Sequence, residues 1–443
     1  MVVFCQEMQA FPETITLRPI EIISKRLRVP GSKSLTNRAL IISALAHGTS
    51  ILEGGLVAED SEVMIRALDE LGIPVQVDGT SFTVHGQGGR IPALQASLDL
   101  ALSGTSIRFL TALVALGRGS YILDGNTRMR QRPIEDLLDA LGQLGVEAKS
   151  QLGTGCPPVL VEASGLAGGK TVIAGERSSQ YLSALLMIAP YAEAPIEIRC
   201  SGELQSKPFI DMTVKLMNEF GVQIVREGYA IFKTLPGKYR SRHYMVEGDA
   251  MSAGYFWAAA AVTGGRVEVE NVGRESLQGD KRIVNVLESM GCRVRWSATS
   301  CELVGPPRGA LRGGTFDLND MPDQALTLAV MALFADAPVR IENVSNMRIK
   351  ETDRLSALAT ELSKFGVRVD EEVDGLTVYP LRSMSDPLPK AVQIDTYGDH
   401  RMAMAFAVAG LRLPNVTIRD PVCVAKTYPT FFDDWTALRE VAG

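Results

Sequence analysis

A chain of 443 residues, 46% hydrophobic and 22% charged, has material for two or three soluble globular domains with large cores. Its 45 basic and 51 acidic residues give a net charge of −6, which excludes a global basic field for nucleic acid but leaves room for local basic clusters. Six scattered cysteines without a CxxC pair and four separated histidines argue against a zinc ribbon, a disulfide framework or a histidine metal site, and fit a reducing cytoplasm.

The N-terminal stretch MVVFCQEMQAFPET lacks the basic region and long apolar run of a signal peptide. No apolar run has the length of a membrane span. From residue 31 onward one unit recurs. Each copy opens with a polar or glycine-containing start and a helix rich in Ala and Leu. A short β-branched strand, a charged loop, an amphipathic helix and a glycine before a final strand follow. In chain order the first helices begin near GSKSLTNRALIISALA, SGTSIRFLTALVAL, RSSQYLSALLMIA, DAMSAGYFWAAAAV, MPDQALTLAVMALFA and GDHRMAMAFAVAG. They are apolar nearly all round, so each is predicted to be buried. The second helices end at Gly72, Gly145, Gly221, Gly291 and Gly366, 70 to 76 residues apart, where a chain leaving a helix takes positive φ. The sixth unit keeps its first helix and the strand VTIRD but lacks this ending.

Six such units exceed one ordinary core, so three plus three is the natural division, with a boundary in the Gly-, Pro- and charge-containing stretch 235–249. The unit is too long for leucine-rich or ankyrin arrays and lacks the strict alternation of a TIM barrel.

With the units aligned, charged and polar residues gather at helix starts. The first helices carry Lys33, Ser34 and Arg38; Gly104, Thr105 and Arg108; Ser178, Ser179 and Gln180; Asp323; and Asp399, His400 and Arg401. The second helices carry Arg128, Arg130 and Arg132; Ser206 and Lys207; Lys350, Glu351 and Arg354; and Lys426. A cation at a helix N-terminus opposes the helix dipole at a cost of roughly 0.3–1 kcal/mol. Repeated through most units, it points to anions bound at free N–H groups and planar guanidinium groups. SGLAGGKT (164–171) is one residue short of a Walker motif and leads into a strand rather than a helix. No GxSxG elbow and no GxGxxG opening a βαβ unit occurs, and Cys423 reads as a small buried thiol rather than a nucleophile.

PGSKSLTNRAL (30–40), RIKETDRL (348–355) and YGDHRMAMA (397–405), supported by RMRQRPIEDL, SSQYLSALL, SKPFIDMT and AKTYP in the same order, strongly resemble the 5-enolpyruvylshikimate-3-phosphate synthase family of enolpyruvyl transferases. The resemblance runs from about residue 25 to the C-terminus. It implies an α/β fold of two globular domains, each of three repeated βαβαββ-type units in the enolpyruvyl transferase-like inside-out α/β barrel, with the active site in the interdomain cleft. It places repeats one to three in residues 31–240 and repeats four to six in a discontinuous domain, 1–30 plus 241–443. The implied reaction moves the enolpyruvyl group of phosphoenolpyruvate to the 5-hydroxyl of shikimate 3-phosphate through a tetrahedral intermediate, without metal or organic cofactor.

By the same resemblance, Lys33, Gly104, Arg132, Arg354, Arg401 and Lys426 meet phosphoenolpyruvate. Ser34, Arg38, Ser178, Ser179, Gln180, Ser206, Asp323, Asn346 and Lys350 meet shikimate 3-phosphate. Asp323 takes the hydroxyl proton, Glu351 shuttles the proton of the vinyl carbon, and Lys33 and Lys426 assist. The implied enzyme is a cytoplasmic monomer that binds neither nucleic acid nor membrane. Arg348 and Asp353 receive no role. Three positions depart from the family pattern: Leu102 where Asn is usual, Phe209 where Tyr is common, and Phe109 where a smaller residue is usual. An enolpyruvyl transferase with another acceptor and a non-catalytic binder of anionic metabolites are the competing readings.

Overall fold

The five glycines that close the second helices take φ of 81° at Gly72, 87° at Gly145, 91° at Gly221, 105° at Gly291 and 79° at Gly366. Each helix thus stops where a residue without Cβ lets the chain turn left-handed, as the repeat pattern predicts. The structure, a computed structural model, describes residues 12–381 and 391–439. Cys5 and the remainder of 1–11 lie outside them.

The helices are α1 (Lys33–Leu45), α2 (Glu59–Glu70), α3 (Gly104–Val114), α4 (Glu135–Gln143), α5 (Ser179–Ile188), α6 (Lys207–Glu219), α7 (Ala250–Thr263), α8 (Ile283–Ser289), α9 (Ala325–Met331), α10 (Arg354–Ser363), α11 (His400–Ala409) and α12 (Phe431–Thr436). They fall into two units. The first holds 31–246, and the second holds 12–30 and 247–439 of the described residues.

Six small sheets carry the repeat. In the second repeat Gln95–Asp99 pairs parallel with Arg118–Asp124, which pairs antiparallel with Val159–Ser164, which pairs antiparallel with Glu147–Ser150. Read along the chain this is βαβαββ. The third and fifth repeats share the order. The first and fourth take their leading strand from elsewhere in the chain. His243–Met245 completes the first sheet beside His47–Glu53, and Ser24–Leu27 completes the fourth beside Arg266–Val269. This pairing corrects the expected boundary: the division falls after Val246 rather than after 240, because the strand 243–245 belongs to the first unit's sheet. The sixth sheet has three strands, Val392–Ile394 and Val416–Arg419 parallel, with Thr14–Thr16 antiparallel on the other edge. An N-terminal strand therefore supplies what the sixth unit lacks in sequence.

The first helix of each repeat is an inner helix. In α7 every residue is buried, from Ala250 to Thr263. The Asp249 carboxylate caps its start by accepting from the Ser252 amide at 3.0 Å, and Gly264 ends it at φ 72°. Such a segment is stable only inside a core, which here includes Trp257, Leu328, Phe406 and Phe431. Truncating one of these side chains to Ala costs about 2–5 kcal/mol. The outer helices, such as α2 and α10, bury one face and expose the other. The glycine-rich 164–171 leads into the strand Gly169–Ala174, so it lacks the helix a phosphate-binding P-loop requires. Among the described residues no helix is long and apolar enough to cross a membrane.

Candidate active site

The first unit presents a set of cations whose arginines Arg38 and Arg108 bond to neutral groups, while its lysine Lys33 meets a carboxylate. Lys33 opens α1 and forms an ion pair with Asp60 of α2 at 3.1 Å. One turn on, Arg38 is 2% exposed. Its guanidinium donates to the Thr213 hydroxyl at 2.7 Å, the Ser34 carbonyl at 3.0 Å, the Ser183 hydroxyl at 3.2 Å and the Phe209 carbonyl at 3.5 Å. The rings of Phe109 and Phe209 stand 5.2 and 5.8 Å from it. Burial pulls its pKa down to about 9, so it remains charged at neutral pH. The two departures Phe109 and Phe209 thus both pack on Arg38.

Gly104 opens α3, and a Cβ there would stand 2.5 Å from the Arg132 guanidinium and 2.7 Å from that of Arg108. Only glycine lets this backbone approach both cations. Arg132 donates to the Leu102 carbonyl at 3.3 Å. Arg108 donates to the Gly104 carbonyl at 2.9 Å, the Gln180 side chain at 3.0 Å and the Pro133 carbonyl at 3.1 Å. Gln180 in turn donates to Thr105 at 3.3 Å. Ser178 caps α5 by accepting from the Gln180 amide at 3.2 Å, and Ser179 begins the helix. Ser206, the N-cap of α6, is buried with φ 56°, a strained geometry for a non-glycine residue.

The second unit gathers cations among carboxylates. Arg354, the first residue of α10, is 1% exposed. It donates to Asp399 at 2.7 and 3.1 Å, to Asp323 at 2.9 Å and to Glu351 at 3.0 Å. Asp323 also lies 3.1 Å from Arg401 and 3.6 Å from Lys350. Burial raises the Asp323 carboxyl, but Arg401, Lys350 and Arg354 outweigh it and hold the group well below the ordinary carboxylate range. Burial opposes the Arg354 charge, yet Asp399, Glu351 and Asp323 raise its pKa. Asp399 caps α11, accepting from the Arg401 amide at 2.9 Å. Asn346 is buried in the 3-10 turn Ser345–Ile349, and its Oδ1 has no hydrogen-bond partner among the described residues. Lys426 is buried at the end of the 3-10 turn Pro421–Lys426, which packs on α11.

Aligned helix starts therefore carry part of the expected geometry. Asp323, Lys350, Glu351, Arg354 and Arg401 meet in one cluster of the second unit. Gly104, Arg132 and Gln180 meet around Arg108 in the first. Two expectations change. Arg128 and Arg132 flank the 3-10 turn Met129–Gln131 and Arg130 lies within it, and α4 begins only at Glu135, so these arginines do not open that helix. Lys350 and Glu351 precede α10 rather than opening it, and Arg354 is neutralised by the protein's own acids rather than standing as an open cation.

Several participants receive no role in the sequence reading. Asp60 lies in an acidic helix start that looks solvated. Arg108 stands in the second first-helix motif but is masked there by the more obvious Gly104. Asp399 shares the N-cap position of Asp249 and Asp353, a signal the repeat alignment contains. Asp280 sits in the charge-rich GDKR, which reads as surface. In the structure it is 5% exposed and its Oδ1 lacks a partner. Burial, with Asp323 and Asp249 nearby and Arg401 opposing, pushes its pKa up to about 7.

Known proteins share this arrangement of sequence. The sequence pattern of the family described as EPSP synthase (3-phosphoshikimate 1-carboxyvinyltransferase) matches residues 17–435. A 3-phosphoshikimate 1-carboxyvinyltransferase of Nostoc punctiforme is 47% identical over 418 residues, 94% of this chain and 96% of the relative. One from Yersinia pestis is 44% identical over 97% of this chain and all of the relative. The chloroplastic enzyme of Arabidopsis thaliana is 46% identical over 94% of this chain and 83% of the relative. The solved EPSP synthase of Acinetobacter baumannii superposes with a TM-score of 0.78 at 25% identity, covering 95% of this chain and 96% of that one.

Proposed function

The chain belongs to the EPSP synthase family, and on that premise we propose how its residues divide one reaction. The reaction is transfer of the 1-carboxyvinyl group of phosphoenolpyruvate to the 5-hydroxyl of shikimate 3-phosphate, with release of phosphate. The observation that carries the division is the chain Asp323–Arg354–Glu351, with two carboxylates bridged at 2.9 and 3.0 Å by one buried guanidinium.

Both substrates bring a phosphate and a carboxylate. Shikimate 3-phosphate meets Ser34, Arg38, Ser178, Ser179, Gln180, Ser206, Asn346 and Lys350. Phosphoenolpyruvate meets Lys33, Gly104, Arg132, Arg354, Arg401 and Lys426. Anions arriving at Arg401, Arg354 and Lys350 draw these cations away from Asp323. Its carboxylate then becomes basic enough to take the proton of the 5-hydroxyl as the C–O bond forms at C2 of phosphoenolpyruvate. Glu351 gives a proton to the vinyl carbon, which becomes a methyl group. In the second step Glu351 takes a methyl proton back, the C–O bond to phosphate breaks, the double bond re-forms, and the proton held by Asp323 leaves with the released phosphate. Lys33 and Lys426 stabilise charge on the leaving oxygen. These acid–base steps need no metal or organic cofactor.

Phosphate release from phosphoenolpyruvate tests the assignment. It is expected only when shikimate 3-phosphate is present. Release with a different acceptor alone would identify another transferase, and no release with both substrates would identify a binder. The proposal includes a monomer in the cytoplasm, a reducing compartment that suits the five described cysteines, all unpaired.

A further inference from the structure

The residues from Lys350 to Thr352 belong to no helix or strand, although Lys350 and Glu351 carry chemistry in the reading above. A side chain holds them. Arg348 stands at the end of the Ser345–Ile349 turn with its side chain 27% exposed. Its Nε donates to the Val373 carbonyl at 2.9 Å and its Nη2 to the Glu372 carbonyl at 2.6 Å. Its Nη1 meets Glu371 at 2.7 Å and both oxygens of Asp353 at 3.0 and 3.2 Å. Asp353 is the N-cap of α10, and its Oδ1 accepts from the Ser356 amide at 3.2 Å. One guanidinium thus joins the residue before the 350–352 turn, the helix start after it, and the strand Val369–Glu371 with the turn beyond. The planar fork of arginine satisfies acceptors in several directions at once, which a lysine cannot do.

We propose that Arg348 is a positioning residue that closes the 348–353 turn and so fixes Lys350 and Glu351 against Asp323 and Arg354. The inference rests on the reading of Glu351 as the proton carrier. The Arg348 side chain is partly exposed, so the consequence of losing it falls mainly on the geometry of the turn, and through it on turnover, rather than on folding. Displacing a reacting group by about 1 Å costs on the order of 10²-fold in rate.

The experiment is a double-mutant comparison with thermal melts alongside. Arg348→Ala is expected to lower kcat about 10- to 100-fold with little change in the KM for phosphoenolpyruvate, because Asp323 and Asp399 hold Arg354 independently. Arg348→Lys is expected to recover part of the loss. In a Glu351→Gln background the same Arg348→Ala change is expected to cost less than about 3-fold, since misplacing a disabled group loses little. The same factor in both backgrounds, or wild-type kcat in Arg348→Ala, overturns the inference. If Arg348→Ala does not fold, Arg348→Gln carries the same comparison. Wild-type turnover in Glu351→Gln alone overturns the parent reading and this inference with it. A strongly impaired but measurable Glu351→Gln with additive losses overturns only this one.

Discussion

The two units solve the burial of cations in opposite ways. In the first, Arg38 and Arg108 direct their hydrogen bonds to hydroxyls, carbonyls and an amide, and the caps of α1, α3 and α5 are serines. In the second, Arg354 and Arg401 face Asp323, Glu351 and Asp399, and the caps of α7, α10 and α11 are aspartates. A guanidinium held by neutral dipoles keeps its full attraction for an arriving anion. A guanidinium among carboxylates has spent much of that attraction, but the carboxylates are then available for proton transfer once an anion competes for their partners. On the proposed division of roles, the contrast assigns anion affinity mainly to the arginines of the first unit and acid–base work to the carboxylates of the second.

The largest expected effect tests the acid–base half. Asp323→Asn and Glu351→Gln are each expected to lower kcat about 10²–10⁴-fold in steady-state assays, whereas wild-type-like turnover in either would erase the distinction between the units. Next comes stability. Arg354→Met leaves the buried Glu351 and Asp399 and the partly buried Asp323 without their shared partner and is expected to cost about 3–5 kcal/mol in denaturant melts. Arg38→Met leaves Thr213 and Ser183 still bonded to each other at 2.9 Å and is expected to cost about 1.5 kcal/mol or less. Equal losses would show that the two arginines are held alike. The same Arg38 variant is expected to raise the KM for shikimate 3-phosphate more than that for phosphoenolpyruvate.

A further effect concerns pH. The Asp280 carboxyl is raised from 3.8 to about 7 in the folded state. Its contribution to stability is therefore complete below about pH 4 and is lost as pH rises through about 7, because the unfolded chain ionises first. Asp280→Asn has no such dependence. Its melting temperature relative to the wild type is expected to climb between pH 5 and pH 8. A difference that stays constant over that range would place Asp280 outside the charge cluster.

Much of the architecture was legible because repeats write it several times. The glycines after the second helices and the apolar inner helices follow from local rules of chain geometry and burial, whereas the βαβαββ order was implied by the family resemblance. The domain boundary was legible only to within six residues, since nothing in HYM at 243–245 says that it pairs with 51–53. The same holds for Thr14–Thr16, whose partner lies some 400 residues away. Of the candidate site, the residues within RIKETDRL and DHRMAMA could be named from the sequence. Asp280 and Asp60 could not, because a charged residue in a charged stretch looks solvated until its neighbours are known.

RIKETDRL marks where the second view adds most. By itself the sequence determined that cations crowd this helix start and that something negative must answer them. Only the tertiary structure decided what that is: Asp323 and Asp399, 31 and 45 residues away in sequence, answer Arg354, and Arg348 answers Asp353, Glu371 and two carbonyls. The reason is physical. Helix starts and turns are fixed by neighbours a few residues apart, so sequence states them. The balance of a buried charge is fixed by whatever the fold brings within about 4 Å, where Coulomb attraction in a poorly screened interior outweighs local preference.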